Sequence, residues 1–300
     1  MAAKSSRHPD IGVADGMLMA SGGILSHARS QLASRHMSDA TAVHEFRKAM
    51  KRWRAMLRLL EPYLGKEGAR LRVEARDLAR QLSGARDVRA ALDALNDLGG
   101  GERSFSARTR AAIKSELEKR RSRAEEKTLT RGMRVRLRNA VGRATQATHH
   151  WPLDRLRAED IATRLSKSYA RAQRAVPNDW ARATPAELHE FRQRVVILRY
   201  QMDLINPILP KIKRGWIAEA QRLRNRLGEH QDLDVLASFA APRRPLARWR
   251  SRLTPLIIMR QAEHVASASR VAEHLFADKP KEFRRRLISM WDKSGGKKKS

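Results

Sequence analysis

The sequence contains no cysteine, no long apolar run and no recognisable phosphoryl-transfer motif. The absence of cysteine excludes disulfide bonds, thiolate metal sites and a cysteine nucleophile. No run of about 18 apolar residues occurs, which excludes a transmembrane helix. There is neither a P-loop nor a G-x-S-x-G sequence, and no acidic pair at a useful spacing. We therefore expect a protein that is not an enzyme and uses no cofactor or metal.

Acidic residues are also scarce compared with basic ones. The chain has 32 acidic and 63 basic residues among 300, a formal net charge of +31. Residues 1–150 contain 31 basic and 16 acidic residues, and residues 151–300 contain 32 and 16. The charge therefore belongs to both halves of the chain and not to a tail. Repulsion at this charge destabilises a compact protein unless anions bind, which points to a polyanionic partner.

One helical stretch organises the chain. Its apolar residues recur every three or four positions, which predicts a buried stripe on an α-helix: Val43, Phe46, Met50, Trp53, Leu57 and Leu60. A basic residue or histidine directly follows most of them: His44, Arg47, Lys51, Arg54 and Arg58. Because one residue turns the helix by about 100°, these side chains form a second stripe beside the first. Such a ladder of positive charge suits a linear polyanion.

The same pattern occurs again 145 positions later. Residues 44–47 read His-Glu-Phe-Arg, and so do residues 189–192. At this fixed offset, matching residues continue without a gap as far as Asp87 and Asp232. A register of this length predicts an internal duplication.

The helical periodicity predicts an all-α fold of two four-helix bundles related by a pseudo-twofold axis, with no strand pattern. We expect a disordered leader at 1–15, bundles over 17–150 and 151–292, and a basic flexible tail at 293–300. In the first half we expect helices near 17–36, 41–63, 67–82 and 105–127. Pro62, Gly65 and Gly68 predict a turn, and Ser83-Gly84 predicts an interruption before helical spacing resumes at 87–92. In the second half we expect helices near 156–176, 185–206, 214–240, 246–276 and 279–291.

These features resemble the CHAD domain, a family of α-helical domains named for its histidines. The resemblance rests on the two His-x-x-Arg helices and on Leu-Gly-Glu-His-Gln-Asp-Leu-Asp-Val-Leu at 227–236, and it covers residues 17–292. It implies a basic central cavity that binds inorganic polyphosphate, and a cytoplasmic protein associated with polyphosphate granules.

The resemblance implies site residues by position. The first motif supplies His44, Arg47, Lys51 and Arg54, followed by Arg58, and the second supplies His189, Arg192 and Arg199. Neighbouring basic residues complete the predicted polyphosphate-binding set: Lys48, Arg76, Arg80, Arg86, Arg222 and Arg226. In the second motif, Val196 occupies the position equivalent to Lys51, and Asp203 occupies the position equivalent to Arg58. We therefore expect the first motif to contribute more of the affinity.

Alternative interpretations exist for each feature. In the alternative interpretation, the two motif histidines are structural residues of the core, and the basic stripe is a solvated face. Acidic residues that could pair with this stripe are sparse. His149-His150 with Asp154, and His264 with Glu263, lack a third converging metal ligand. Trp53 and Trp216 lie on apolar stripes, which favours the core over base stacking. The main rival function is nucleic-acid binding, because this charge attracts any phosphate backbone; a phosphate-cleaving or phosphate-transferring enzyme is the second rival.

Overall fold

A computed structural model describes residues 12–34, 36–84, 86–100, 106–125, 128–209, 212 and 215–295. Within these ranges the chain forms helices and no β-strand, so the predicted all-α class is confirmed. The α-helices are α1 (Val13–Ala33), α2 (Asp39–Leu59), α3 (Glu61–Gln81), α4 (Arg86–Asp97), α5 (Ala107–Glu125), α6 (Arg131–Thr148), α7 (Ala158–Gln173), α8 (Pro185–Ile205), α9 (Trp216–Phe239), α10 (Arg250–Leu275) and α11 (Pro280–Gly295).

The order of helix packing is similar in the two halves of the chain. In the first half, α1 packs against α2 and α6, and α2 packs against α3. In the second half, α7 packs against α8 and α11, and α8 packs against α9. Helix α7 begins at Ala158, 145 residues after the first residue of α1, Val13. The helices α2 and α8, and likewise α4 and α9, pack across the two halves. This arrangement is compatible with a duplication, which stays our interpretation.

The buried apolar residues form two clusters, and neither follows the boundary at residue 150. The larger cluster contains residues of α1, α2, α3, α6, α7, α8 and α11 and from the first half of α9 and the second half of α10. The smaller cluster joins α4 and α5 to the rest of α9 and α10. Each cluster thus draws on both halves of the chain. The predicted division into two four-helix bundles stays a prediction.

Several helix boundaries differ from those predicted. Helix α1 begins at Val13, so Val13 to Asp15 are helical and not part of the leader, whose residues 1–11 lie outside the described ranges. Helix α11 likewise includes 293–295 of the predicted tail, and residues 296–300 lie outside. Helix α6 was not predicted as a separate element. Its buried Leu137, Ala140, Val141 and Ala144 follow helical spacing, but they lie in the most basic part of the chain.

Pro62 begins a helix and does not end one. Helix α2 ends at Leu59, and Pro62 lies in the first turn of α3, where its missing N–H removes no helical hydrogen bond. Gly65 has a φ of 49° and a ψ of −130°, which interrupts α3 locally, whereas Gly68 is helical. A left-handed φ is readily adopted by glycine. The predicted turn is therefore a kink inside α3.

The break at Ser83-Gly84 separates α3 from α4, as predicted. The corresponding residues of the second half lie inside α9, which is continuous from Trp216 to Phe239. The pair α3 and α4 therefore occupies the chain positions that α9 covers alone. This difference changes what the two motif arginines contact.

Candidate functional site

A cavity of about 500 Å³ lies between α2, α4, α8 and α9, close to the end of α5. Its basic lining residues are His44, Arg47, Lys48 and Lys51 of α2, Arg86 and Arg89 of α4, Arg192 and Arg199 of α8, and Arg224 of α9. Its acidic lining residues are Asp39, Asp93, Glu125 and Asp232. Eight of these basic residues are Lys or Arg, so the cavity has a clear excess of positive charge.

Helix α2 presents its basic residues to the cavity because its apolar stripe is fixed in the core. Phe46 and Trp53 are buried, and the Trp53 ring stacks on Trp151 with their centroids 5.5 Å apart. These contacts fix the rotation of the helix. Arg47 and Lys51, one residue further along, consequently face the cavity, which confirms the side-by-side arrangement of an apolar and a basic stripe at these positions.

The Arg47 side chain contacts the backbone at the break between α3 and α4. One of its terminal nitrogens donates hydrogen bonds to the carbonyl oxygens of Ala79 and Leu82, at 3.0 and 2.8 Å. Carbonyls in the last turn of a helix lack intrahelical donors, so a cation there is favourable. Part of the hydrogen-bonding capacity of Arg47 is thus already used by the protein.

Arg192, the counterpart of Arg47, has a different environment because α9 has no break. It donates a hydrogen bond to Oε1 of Gln231 at 2.9 Å and packs beside Gly228. Its Nε is buried and has no acceptor. A buried donor without a partner is unfavourable. The Arg192 side chain also lines the cavity and contributes positive charge to it.

Arg199 lies further along α8 and also carries a buried Nε without an acceptor. Its guanidinium carbon lies 4.1 Å from the centroid of the Tyr200 ring, and both side chains line the cavity. Among the described residues, neither Arg199 nor Lys51 forms an ion pair with a carboxylate. Stacking holds the guanidinium plane in place while leaving its edge free for an anion.

The environment of the cavity lowers the pKa of Lys51 and of His44. Surrounding protein, followed by Arg192, Arg86, Arg47 and Arg224, lowers the pKa of Lys51 to about 8, although the side chain is still accessible to solvent. Partial burial and Arg89 lower the pKa of His44, against an opposing effect of Glu45. Both shifts reflect positive groups held close together without enough counter-charge.

Asp232 on α9 is the main opposing charge inside the cavity. Burial raises its pKa to about 6, and Asp93 contributes in the same direction, whereas Arg192, Arg86 and Arg224 oppose the shift. The carboxyl group therefore changes its protonation state close to neutral pH. When ionised, it offsets part of the positive charge available to an anion.

The structure brings together half of the predicted site residues. His44, Arg47, Lys48, Lys51, Arg86, Arg192 and Arg199 line the cavity. Arg54, Arg58, Arg76, Arg80, His189, Arg222 and Arg226 do not. Three of these outlying residues pair with nearby carboxylates instead. Arg76 contacts Asp77 at 2.9 Å, Arg222 contacts Glu219 at 3.1 Å and Arg226 contacts Glu229 at 3.2 Å.

Sequence reasoning missed Arg89 and Arg224. Arg89 follows the predicted Arg86 by three residues and lies on the same side of α4. Arg224 lies between the predicted Arg222 and Arg226, about 200° of helical turn from each. The helical phase of the cavity-facing side of α9 would have identified Arg224, because Gln221, three residues earlier, also lines the cavity.

Two further groups singled out in the sequence have structural partners. Nε2 of the buried His264 lies 2.7 Å from Asp97, and its Nδ1 lies 3.2 Å from Glu229. This histidine joins α10 to α4 and α9. Trp216 is partly buried and packs edge-on against Phe283, with their ring centroids 4.6 Å apart. No group of three metal-binding side chains occurs in the part of the chain that the structure describes.

The fold and cavity define an α-helical protein with a cation-lined cavity between its helices. The model of the CHAD domain family matches residues 23–241, and the chain belongs to this family. The match ends before α10 and α11, both of which contribute to the hydrophobic core. A comparison with curated proteins returns no match. No helix in the described ranges is long and apolar enough to cross a membrane.

Proposed function

We propose that the cavity binds inorganic polyphosphate without chemical conversion. The observation that carries the proposal is the cluster of Lys and Arg side chains around a space of about 500 Å³. Arg192 and Arg199 are among these side chains. Phosphate oxygens are strong acceptors for guanidinium groups, and a linear chain offers them in succession. Membership of the CHAD family supports the same ligand class, and the matching helix order supports a duplicated basic scaffold.

A competition titration tests this proposal. Labelled polyphosphate is displaced with unlabelled polyphosphate, single-stranded RNA or duplex DNA, all matched in phosphate concentration and salt. We expect unlabelled polyphosphate to compete far better, because the cavity cations of α2 lie about one helical turn apart, closer than a duplex backbone requires. Equal displacement by RNA would favour the nucleic-acid interpretation, and loss of phosphate from the chain during incubation would favour an enzyme.

Matched variants connect the affinity to the cavity. Lys51→Ala combined with Arg199→Ala removes two cavity cations that have no ion pair. Lys119→Ala combined with Arg123→Ala removes one lysine and one arginine from the exposed surface of α5. Only the first pair should weaken binding strongly. A tagged protein that carries Lys51→Ala and Arg199→Ala should no longer associate with polyphosphate granules, because we propose that granule association depends on this cavity.

A further inference from the structure

A second basic pocket lies between the end of α2, the start of α3, and helices α7 and α8. Its volume is about 150 Å³. Its basic lining residues are Arg58, Arg72, Arg164, Lys167, Arg171 and Arg194. None of them lines the larger cavity. Residues of α7 are absent from the motif ladders, so sequence periodicity alone does not indicate this pocket.

The pocket contains more positive charge than its carboxylate can balance. Glu61 is its only acidic lining residue, and it pairs with Arg164 at 2.7 Å and Arg72 at 3.4 Å. Arg194 pairs with Glu190 at 3.0 Å. The other three basic residues, Arg58, Lys167 and Arg171, form no ion pair within the described chain. They are available for an external anion.

Arg58 shows the electrostatic consequence of this arrangement. Burial, followed by Arg72, Arg54 and Arg194, lowers its pKa to about 10, against the opposing effect of Glu61. A guanidinium group normally keeps its proton far above that pH. Like charges are thus held close together at the pocket wall, and a bound anion would relieve their repulsion.

A basic path along α2 connects the pocket with the larger cavity. Lys51 lines the cavity, Arg58 lines the pocket, and Arg54 lies between them on the same side of the helix. Lys51 and Arg58 are separated by about 10 Å along the helix axis at about 1.5 Å per residue. Arg54 is close to Arg72, and its buried Nε has no acceptor. Arg54 therefore adds a positive charge at the midpoint of the path.

We propose that the second pocket binds the part of a polyphosphate chain that leaves the larger cavity along Lys51, Arg54 and Arg58. This inference rests on the proposed function, because the same chain occupies both places. It assigns Arg54 a position on the path between two sites, and Arg58 a position at the pocket end of that path. It also assigns a ligand contact to Lys167 and Arg171 of α7.

The test compares tripolyphosphate with long-chain polyphosphate by isothermal titration at one fixed salt concentration. Lys167→Ala combined with Arg171→Ala is the pocket variant. Lys119→Ala combined with Arg123→Ala is the control, since both pairs are exposed, lack ion pairs and are four residues apart on a helix. For the long chain we expect the pocket variant to lose about three- to tenfold in affinity and the control much less. Tripolyphosphate, which is too short to span both places, should bind the pocket variant as it binds the wild type.

The outcomes separate the two proposals. If the pocket variant and the control bind the long chain equally well, the second pocket is not a phosphate site, and the proposed function is unaffected. If tripolyphosphate loses as much affinity as the long chain, no continuous path links cavity and pocket, and the inference is also wrong. If neither ligand binds the wild type, the proposed function itself fails. Circular dichroism of both variants checks that they are folded.

Discussion

The guanidinium carbon of Arg199 lies 4.1 Å from the centroid of the Tyr200 ring, at the wall of the basic cavity. The ring supports the guanidinium from one side, and among the described residues Arg199 forms no ion pair with a carboxylate. The pair therefore holds an oriented guanidinium at the cavity wall without an internal anion to compete for it. Lysine cannot reproduce this arrangement, because its ammonium lacks the planar fork.

Replacing Arg199 should separate charge from geometry. Arg199→Ala should weaken polyphosphate binding by about 10- to 100-fold, the range for losing a charged hydrogen bond. Arg199→Lys keeps the charge and should recover part of that loss. Isothermal titration of both variants at low salt measures the difference. Full recovery by lysine would mean that only the charge at this position matters.

The sequence predicted the fold class and one side of the site well, for identifiable reasons. The apolar stripe of α2 determines which face is buried, so the neighbouring Arg47 and Lys51 could be placed correctly. Arg222 and Arg226 were placed wrongly with respect to the cavity, because the cavity-facing side of α9 depends on its packing against α4, α8 and α10. That packing joins residues far apart in the chain, and local periodicity does not specify it.

The two motif arginines illustrate a further limit of sequence reasoning. Arg47 and Arg192 occupy equivalent positions in the two motifs, yet Arg47 caps the broken end of α3 and Arg192 contacts the continuous α9. The break itself was predicted from Ser83-Gly84. The contact of Arg47 with this break could not be predicted from the sequence, because such a prediction requires knowing which helix packs against the break.

Lys51 should make binding weaker at alkaline pH. The pKa of Lys51 is lowered to about 8 in the free protein, and a bound anion raises it. The contribution of Lys51 to affinity should therefore be constant below about pH 8 and fall as the pH rises through that value, since the free protein then loses the charge that the complex retains. Lys51→Arg keeps the charge throughout and should remove this fall. Titrations between pH 7 and 10 test the prediction, and a fall that persists unchanged in Lys51→Arg would contradict it.

Asp232 should produce a second pH dependence, nearer to pH 6. Its pKa is raised to about 6 by burial and by Asp93, with Arg192, Arg86 and Arg224 opposing the shift. Below that pH the carboxyl is neutral in free and bound protein alike, and affinity is highest. As the pH rises through 6, the free protein gains a negative charge that repels phosphate, and affinity falls. Asp232→Asn should bind more tightly than wild type at pH 8.

The histidine in the same cavity provides the control for that experiment. The pKa of His44 is lowered from its ordinary value, and its loss of a proton also weakens anion binding as the pH rises. His44→Gln removes this contribution while keeping a polar side chain. If Asp232 is the main cause, Asp232→Asn flattens the profile around pH 6 and His44→Gln leaves most of it. The reverse result would assign the pH dependence to the histidine.

The buried network around Asp97 should determine stability and not binding. Nε and a terminal nitrogen of Arg260 donate hydrogen bonds to Asp97 at 3.1 and 2.6 Å, and His264 lies 2.7 Å away. Burial raises the pKa of Asp97, but the contacts with Arg260 and His264 outweigh it and lower the pKa overall. Asp97→Ala should lower the free energy of unfolding by about 2 kcal/mol, because it leaves Nε2 of the buried His264 without its acceptor and removes one of the two carboxylates that pair with Arg260.

A matched surface pair controls for the loss of an aspartate. Asp77 pairs with Arg76 at 2.9 Å at the surface, and Asp77→Ala should change stability much less than Asp97→Ala, because solvent screens an exposed ion pair. Urea denaturation at pH 7 compares the two variants. The contribution of Asp97 should also disappear as the pH falls through its lowered pKa, because protonation removes the charge that its partners stabilise. Equal effects of the two alanine variants would contradict a structural role for the network.

The relative importance of the two motifs can be tested through thermal stability. Sequence comparison predicts that the first motif contributes more, because Val196 and Asp203 replace basic residues in the second. The geometry predicts the opposite for one comparison. Arg192 and Arg199 both line the cavity, whereas Arg54 lies outside it and Arg47 already contacts backbone carbonyls. We therefore expect Arg192→Ala with Arg199→Ala to lose more affinity than Arg47→Ala with Arg54→Ala.

Polyphosphate should raise the melting temperature of the wild type most strongly at low salt. A ligand that binds only the folded protein stabilises it by about 2.7 kcal/mol at a hundredfold excess over its Kd. Each phosphate contact steepens the decrease of affinity with salt, so the shift should shrink as salt rises. Arg192→Ala with Arg199→Ala should show the smallest shift and the flattest salt dependence, with unchanged helical circular dichroism. A larger loss of shift for Arg47→Ala with Arg54→Ala would restore the expectation drawn from the sequence. If both variants keep the full shift, polyphosphate binds instead to the exposed basic surface of α5 and α6.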